Sequence, residues 1–187
     1  MVRLKHVPVL RRRPGVSKHW LAGRSPGNRH GIVVFSFGQR SFEDEPNPCN
    51  SRLAEAAAAT RQQLGESTIV IAQWETARAL DTLGVPLEYV VQARPGAYLD
   101  TADVWHEAEP LLRERGIRDI ALIAHPYLHS IKARQLARLA GFRVIPVHVG
   151  HIGFDRSSSN QQPWTRSPCA LTLYALRQLT TGRRGPA

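Results

Sequence analysis

The sequence predicts a three-layer α/β/α domain built on a mostly parallel sheet of about five strands. Three observations predict it. Short apolar runs rich in β-branched residues recur along the chain. They are continuous rather than alternating, as strands buried on both faces require. Between them lie helical segments of roughly 10–15 residues, the rhythm of a parallel sheet with right-handed crossovers.

In chain order, residues 31–37 form the first strand, which Gly38 ends. Residues 39–49 are a polar loop with acidic Glu43-Asp44-Glu45 and the turn chemistry of Pro46-Asn47-Pro48. Asn50 or Ser51 is expected to cap a helix running through Leu53 and an Ala-rich stretch to Leu64, with Gly65 as its stop. Residues 68–72 are the second strand. Gln73-Trp74-Glu75 follows it, then a helix over 76–83 that ends at Gly84. The third strand is 87–91, and a loop containing Pro95-Gly96 leads to Asp100 or Thr101 as cap of a helix reaching about Arg115. The fourth strand spans 117–124 and its helix 127–140. Residues 142–147 are a fifth strand, whose Pro146 favours a sheet edge. A long polar loop, 148–168, precedes a last helix over about 170–179. The first strand is expected at the centre, with strand order 3-2-1-4-5.

At 187 residues the chain suits one such domain over 30–182, preceded by a basic arm over 1–29 and followed by a tail over 183–187. The formal net charge of +10 is concentrated in the arm: residues 1–30 hold eight Lys or Arg and no Asp or Glu. The remainder is at +2, and Arg183 and Arg184 account for that. A basic arm can neutralise phosphates of nucleic acid or of a lipid surface. No aromatic interleaving or nucleic-acid-binding motif accompanies it, so nucleic acid is disfavoured as a partner. Cys49 and Cys169 are the only cysteines and neither lies in a C-x-x-C pair, so no structural metal is expected. No apolar run reaches the roughly 18 residues of a membrane span, and the Arg-rich N-terminus lacks the apolar core of a signal peptide. The expected location is cytoplasmic.

In open parallel sheets, ligands bind outside the carboxyl ends of the strands. The loops predicted there carry Gly38, Gln73-Trp74-Glu75, Tyr98, Asp100 and Thr101, and the run His125-Pro126-Tyr127-Leu128-His129-Ser130-Ile131-Lys132. Gly38 permits close approach of a ligand to the backbone. Helices starting near Asn50, Asp100 and Tyr127 offer free N–H groups. Arg52 and Lys132 fall in first turns, where a cation is unfavourable unless an anion is bound. His125 and His129 are candidates for proton transfer or hydrogen bonding, with Glu75 to orient a partner. Pro126 makes His125 a strand-exit residue, which disfavours a metal pair. Cys49, in a loop before a helix, is a candidate nucleophile. No G-x-G-x-x-G, P-loop or G-x-S-x-G pattern is present.

The same residues carry a family resemblance over about residues 31–150. An apolar strand ends at Gly38, Asn50-Ser51-Arg52-Leu53 opens a helix, a strand leads to Gln73-Trp74-Glu75, and Asp100-Thr101 and His129-x-x-Lys132 follow. This order resembles the SanA/ElyC/YdcF family. The family's Ser-x-Arg-Leu appears here without its spacer, its Ser-Gly-Gly is replaced by Ala72-Gln73-Trp74, and the Arg of its His-x-x-Arg is Lys132. The resemblance implies a Rossmann-like fold with a polar pocket at the strand ends, and a nucleotide-like ligand, S-adenosylmethionine among the candidates.

Together these observations lead to an expected enzyme of the YdcF-like type. It would act on a small anionic or nucleotide-like metabolite by hydrolysis or group transfer, with His129, His125 and Glu75 catalytic. Gly38, Asn50, Arg52, Gln73, Trp74, Tyr98, Asp100, Thr101, Tyr127 and Lys132 would bind the ligand. The alternatives are a non-catalytic nucleotide- or AdoMet-binding regulator and an adaptor acting through the basic arm. A homo-oligomer is compatible with either enzyme or regulator.

Overall fold

The computed structural model describes residues 29–41, 45–92 and 99–181. Nearly all of the predicted basic arm, the tail over 183–187 and Tyr98 lie outside the described residues. Five parallel strands form one sheet in the order β3-β2-β1-β4-β5. They are β1 (His30–Val34), β2 (Ile69–Gln73), β3 (Tyr89–Val91), β4 (Asp119–Ile123) and β5 (Arg143–Ile145). The helices are α1 (Pro48–Leu64), α2 (Trp74–Thr82), α3 (Thr101–Glu114), α4 (His129–Leu139) and α5 (Pro168–Thr181). Central β1 pairs with β2 on one side and with β4 on the other, Val33 lying opposite Ile71 and Leu122. The strand order predicted from the sequence is the order found, and the fold is Rossmann-like.

The sheet separates two apolar layers. Val33, Ile71, Leu122, Trp105 and Leu112 pack on the face covered by α3 and α4. Ile32, Val34, Val70, Ile123, Leu53 and Leu80 pack on the face covered by α1 and α2, where Leu171 of α5 joins them. β1 and β4 bury almost every residue, which is why their sequences are continuously apolar. Each fully buried aliphatic side chain contributes about 1.5–3 kcal/mol relative to exposure.

Helix starts depart from the sequence expectation. α1 begins at Pro48 with Asn47 as its cap, whose side chain accepts from Asn50 N–H. Proline at the first helical position needs no N–H partner, so a pair that reads as a turn serves here as a cap followed by N1. α2 starts at Trp74 with no intervening loop, Gln73 being both the last residue of β2 and the helix cap. α4 starts at His129, after a turn over 126–128. The polar stretch after β5 contains an unanticipated 3-10 turn, Pro163–Thr165. Among the described residues, no helix is long and apolar enough to cross a membrane.

Gly38, just beyond β1, has φ of +80°, and a Cβ there would lie 2.7 Å from Asn47 Nδ2 and 3.0 Å from Thr165 Oγ1. Left-handed backbone and a filled space act together. Gly38→Ala is expected to destabilise the protein by about 2–4 kcal/mol. Urea denaturation reads this directly, and a loss below about 0.5 kcal/mol would show that the packing around Gly38 yields freely.

Candidate functional site at the carboxyl ends of the central strands

Strand order reverses between β1 and β4, so the carboxyl ends of these strands and of β2 are where such a sheet leaves a crevice. The exit of β1 is held there by side chains. Phe35 N–H still pairs with Ile123 O at 2.9 Å. Ser36 N–H then donates to Gln73 Oε1 at 3.0 Å and Phe37 N–H to Asn50 Oδ1 at 2.7 Å. In return, Asn47 Nδ2 donates to Phe37 O and Asn50 Nδ2 to Gly38 O. The buried Ser36 hydroxyl lies 2.9 Å from Thr76 Oγ1. Asn50 and Gln73, expected as ligand-binding, thus have polar groups engaged with this backbone. The space beside Gly38 is taken by protein side chains.

Glu75 lies in the first turn of α2 and is 5% exposed. Its Oε2 has no hydrogen-bond partner among the described residues. Burial pushes its pKa from 4.5 up to about 7, against the opposing influence of its backbone N–H, Ser36, Arg78 and Gln73. At neutral pH it therefore populates both the protonated and the ionised form.

The two histidines differ. His125, at the exit of β4, is 1% exposed and stacks on Phe37, with ring centroids 3.8 Å apart. Its Nδ1 accepts from Tyr127 N–H at 3.4 Å, so the proton sits on Nε2, which lies 3.1 Å from Gly153 O. Both nitrogens are engaged, and burial lowers its pKa. His129 opens α4 with its ring edge-on to Phe35, at 5.6 Å between centroids. Its Nδ1 is sequestered without a partner. Burial, then the neighbouring His125 and Lys132, brings its pKa down to about 4, against the pull of Asp100. It is neutral at pH 7. Because His125 precedes α4, the two do not share a helix face. Among the described residues, no three His, Cys, Asp or Glu side chains cluster as metal ligands would.

Both cations have carboxylate partners. Lys132 Nζ is 3.1 Å from Asp100 Oδ2, and Arg52 pairs with Glu55 at 2.8 Å. Their placement in first turns is thereby accounted for without an external anion. Asp100 also caps α3, accepting from Ala102 and Asp103 N–H; burial raises its pKa, but these hydrogen bonds and Lys132 lower it on balance. Thr101 is buried beside it. Trp74 packs in the core with Val91 and Trp105 rather than facing a crevice. Tyr127 is 41% exposed, its hydroxyl 2.9 Å from Thr172 Oγ1. Arg52 lines a groove beside α1 that includes neither Glu75 nor His129. Cys49 departs from the nucleophile expectation: its thiol donates to Gly153 O, and burial followed by the nearby Asp155 pushes its pKa up to about 11. A low-pKa thiolate needs the opposite environment.

Sequence reasoning missed Ser36, Thr76 and Asn47, and the segment that covers the strand ends. There Asp155 makes a bidentate pair with Arg40, and Asn160 accepts from Gln39 N–H while donating to Asp155 O. Gln161 N–H donates to Gln39 O at 2.7 Å, so residues 153–165 are fastened to the strand exit. Phe154 lies edge-on to both Phe37 and His125. The paired asparagines of α1 were the one available signal. Comparison of the chain with protein-family models gives no match, and comparison with curated proteins gives none.

The shifts of Glu75 and His129 have opposite consequences for stability. Glu75 holds its proton more tightly when folded, so its contribution is complete below 4.5 and is lost as pH rises through about 7. His129 resists protonation when folded, so its contribution is complete above 6.5 and is lost as pH falls towards 4. Glu75→Gln removes only the first effect. From pH 4 to pH 8 the variant is expected to gain about 3 kcal/mol relative to the wild type. Urea unfolding at the two pH values measures this, and a pH-independent difference would mean that Glu75 titrates alike in both states.

Proposed function

We propose that the protein is a small-molecule enzyme of the YdcF-like type, catalysing hydrolysis or group transfer on an anionic or nucleotide-like metabolite at the ends of β1, β2 and β4. The observation that carries this reading is Glu75. A buried carboxyl with an unpartnered oxygen and a pKa near 7 costs stability at neutral pH, and such a group suits proton transfer in either direction. In this reading Glu75 gives a proton to a leaving group or takes one from the attacking hydroxyl or water. Neutral His129 hydrogen-bonds the reacting oxygen through its free nitrogen. His125, engaged at both nitrogens, holds the covering segment in place. No cap residue bonds the N-terminus of α2 or α4, whereas α1 and α3 are capped by Asn47 and Asp100; in α2 the Thr76 N–H is taken by Ser36 Oγ. The uncapped N-terminus of α4, with no acidic residue in its first turn, favours negative charge nearby, which supports an anionic substrate. S-adenosylmethionine or a nucleotide remains the ligand that the family resemblance implies.

A second reading, a non-catalytic sensor of such a ligand, draws on the low basicity of both histidines. A thermal-shift screen of phosphate esters, nucleotides and S-adenosylmethionine, followed by product detection on each hit, separates the two. Turnover reduced roughly 100-fold or more in Glu75→Gln, in a variant that stays folded and is more stable at pH 8, is the expected result. Full turnover in Glu75→Gln would remove the enzyme site from this crevice. Tight binding without product would favour the sensor.

A further inference from the structure

A groove of about 670 Å³ runs between the first turns of α1 and residues 148–154. That volume is in the range of small-molecule sites. Part of its lining is basic or hydrogen-bonding: Arg52 from α1, and His148 and His151 from the segment after β5, all three exposed. The opposite character comes from Val149, Phe154 and Ala56, which give the groove an apolar side. Glu55 is the one carboxylate in the lining, and it pairs with Arg52.

We infer that this groove is a second binding site, for a small phosphorylated molecule whose non-polar part lies against Val149 and Phe154. A phosphate presents several strong acceptor oxygens. The Arg52 fork and two imidazole N–H donors match such a group, and a guanidinium can engage it through two parallel hydrogen bonds. The Arg52–Glu55 contact does not oppose this strongly. Both side chains are more than half exposed, at 66% and 52%, and an exposed pair at i,i+3 is readily exchanged for a better partner. Glu55 instead acts as a placeholder that keeps the guanidinium on the groove side of α1 until an anion replaces it. A metal ion is a poor alternative occupant, because no three ligating side chains cluster among the described residues.

The site is distinct from the strand-end crevice. Its lining contains none of Glu75, His129 or Lys132. The two meet at Gly153, whose carbonyl is 3.2 Å from Cys49 Sγ and 3.1 Å from His125 Nε2. The inference stands independently of the proposed enzymatic activity.

The test is titration of the full, 15N-labelled chain with inorganic pyrophosphate at constant ionic strength. Saturable shifts of the Gly150, His151 and Gly153 amide resonances are expected. Arg52→Ala should weaken binding by about tenfold or more. Glu55→Gln should tighten it several-fold, because the competing carboxylate is gone. Glu75→Gln should leave it unchanged. Non-saturating shifts, equal affinity in Arg52→Ala, or shifts confined to Glu75 and His129 would each overturn the assignment. The last of these would place pyrophosphate in the strand-end crevice and leave that reading intact.

Discussion

The exit of β1 is the constraint on which the rest of the molecule depends. A central parallel strand must leave the sheet, and its backbone groups lose their ladder partners where it does. Buried peptide groups left unpaired cost as much as lost hydrogen bonds. Here side-chain amides replace the ladder: Gln73 for Ser36 N–H, Asn50 for Phe37 N–H and Gly38 O, Asn47 for Phe37 O, and Asn160 for Gln39 N–H. Gln73 comes from the end of β2, Asn47 and Asn50 from the start of α1, and Asn160 from the segment after β5. Satisfying four consecutive residues therefore sets where α1 begins, why α2 follows β2 without a loop, and where the segment after β5 must lie.

This arrangement also explains the environment of Glu75. The groups nearest to it are shared with the strand exit: Gln73 Oε1 accepts from Ser36 N–H, and the Ser36 hydroxyl meets Thr76. Burial outweighs the backbone N–H, Ser36, Arg78 and Gln73 even though Glu75 sits at a helix N-terminus, where negative charge is ordinarily favoured. A carboxyl kept near half-protonation by burial is a costly choice in structural terms. A neutral residue of similar size would avoid that cost, which is why the proposed function rests on this residue.

The legible and illegible parts of the sequence divide along physical lines. The strands and their order could be read because burial on both faces writes itself as unbroken apolar runs, and because glycines mark the helix ends. The start of α1 could not, since Asn47-Pro48 has the chemistry of a turn as well as that of a cap and N1. The Arg52–Glu55 pair was visible as an i,i+3 spacing and answers the apparent misplacement of Arg52. Lys132 with Asp100 joins residues 32 apart in sequence and leaves no local pattern. Trp74 looked like a pocket residue because it follows a strand. Only the absence of a loop before α2 turns it into the core. The segment over the strand ends was hardest to read. Its polar composition resembles a solvated loop, and nothing local reveals that Asp155 and Asn160 are buried against the exit of β1.

The two histidines four residues apart illustrate why residue type and spacing do not settle a role. Burial lowers the pKa of His125, and its hydrogen bonds fix one tautomer: Nδ1 accepts from Tyr127 N–H while Nε2 lies against Gly153 O. Protonation at Nδ1 would break the first bond and bury a charge against Phe37 and Phe154. Burial is the main cause for His129 as well, joined by the neighbouring His125 and Lys132, but here it acts on a ring whose Nδ1 has no partner among the described residues. The first histidine has no free valence for a ligand; the second does. The difference follows from helix position. His125 lies two residues beyond β4, packed on Phe37 and Phe154, and its hydrogen bond to the Tyr127 amide helps the chain turn. His129 arrives after that turn, on the first residue of α4, where no side-chain cap competes for it. A segment that must both end a strand and begin a helix thus spends one imidazole on its own geometry and leaves the other with a buried nitrogen that has no partner among the described residues.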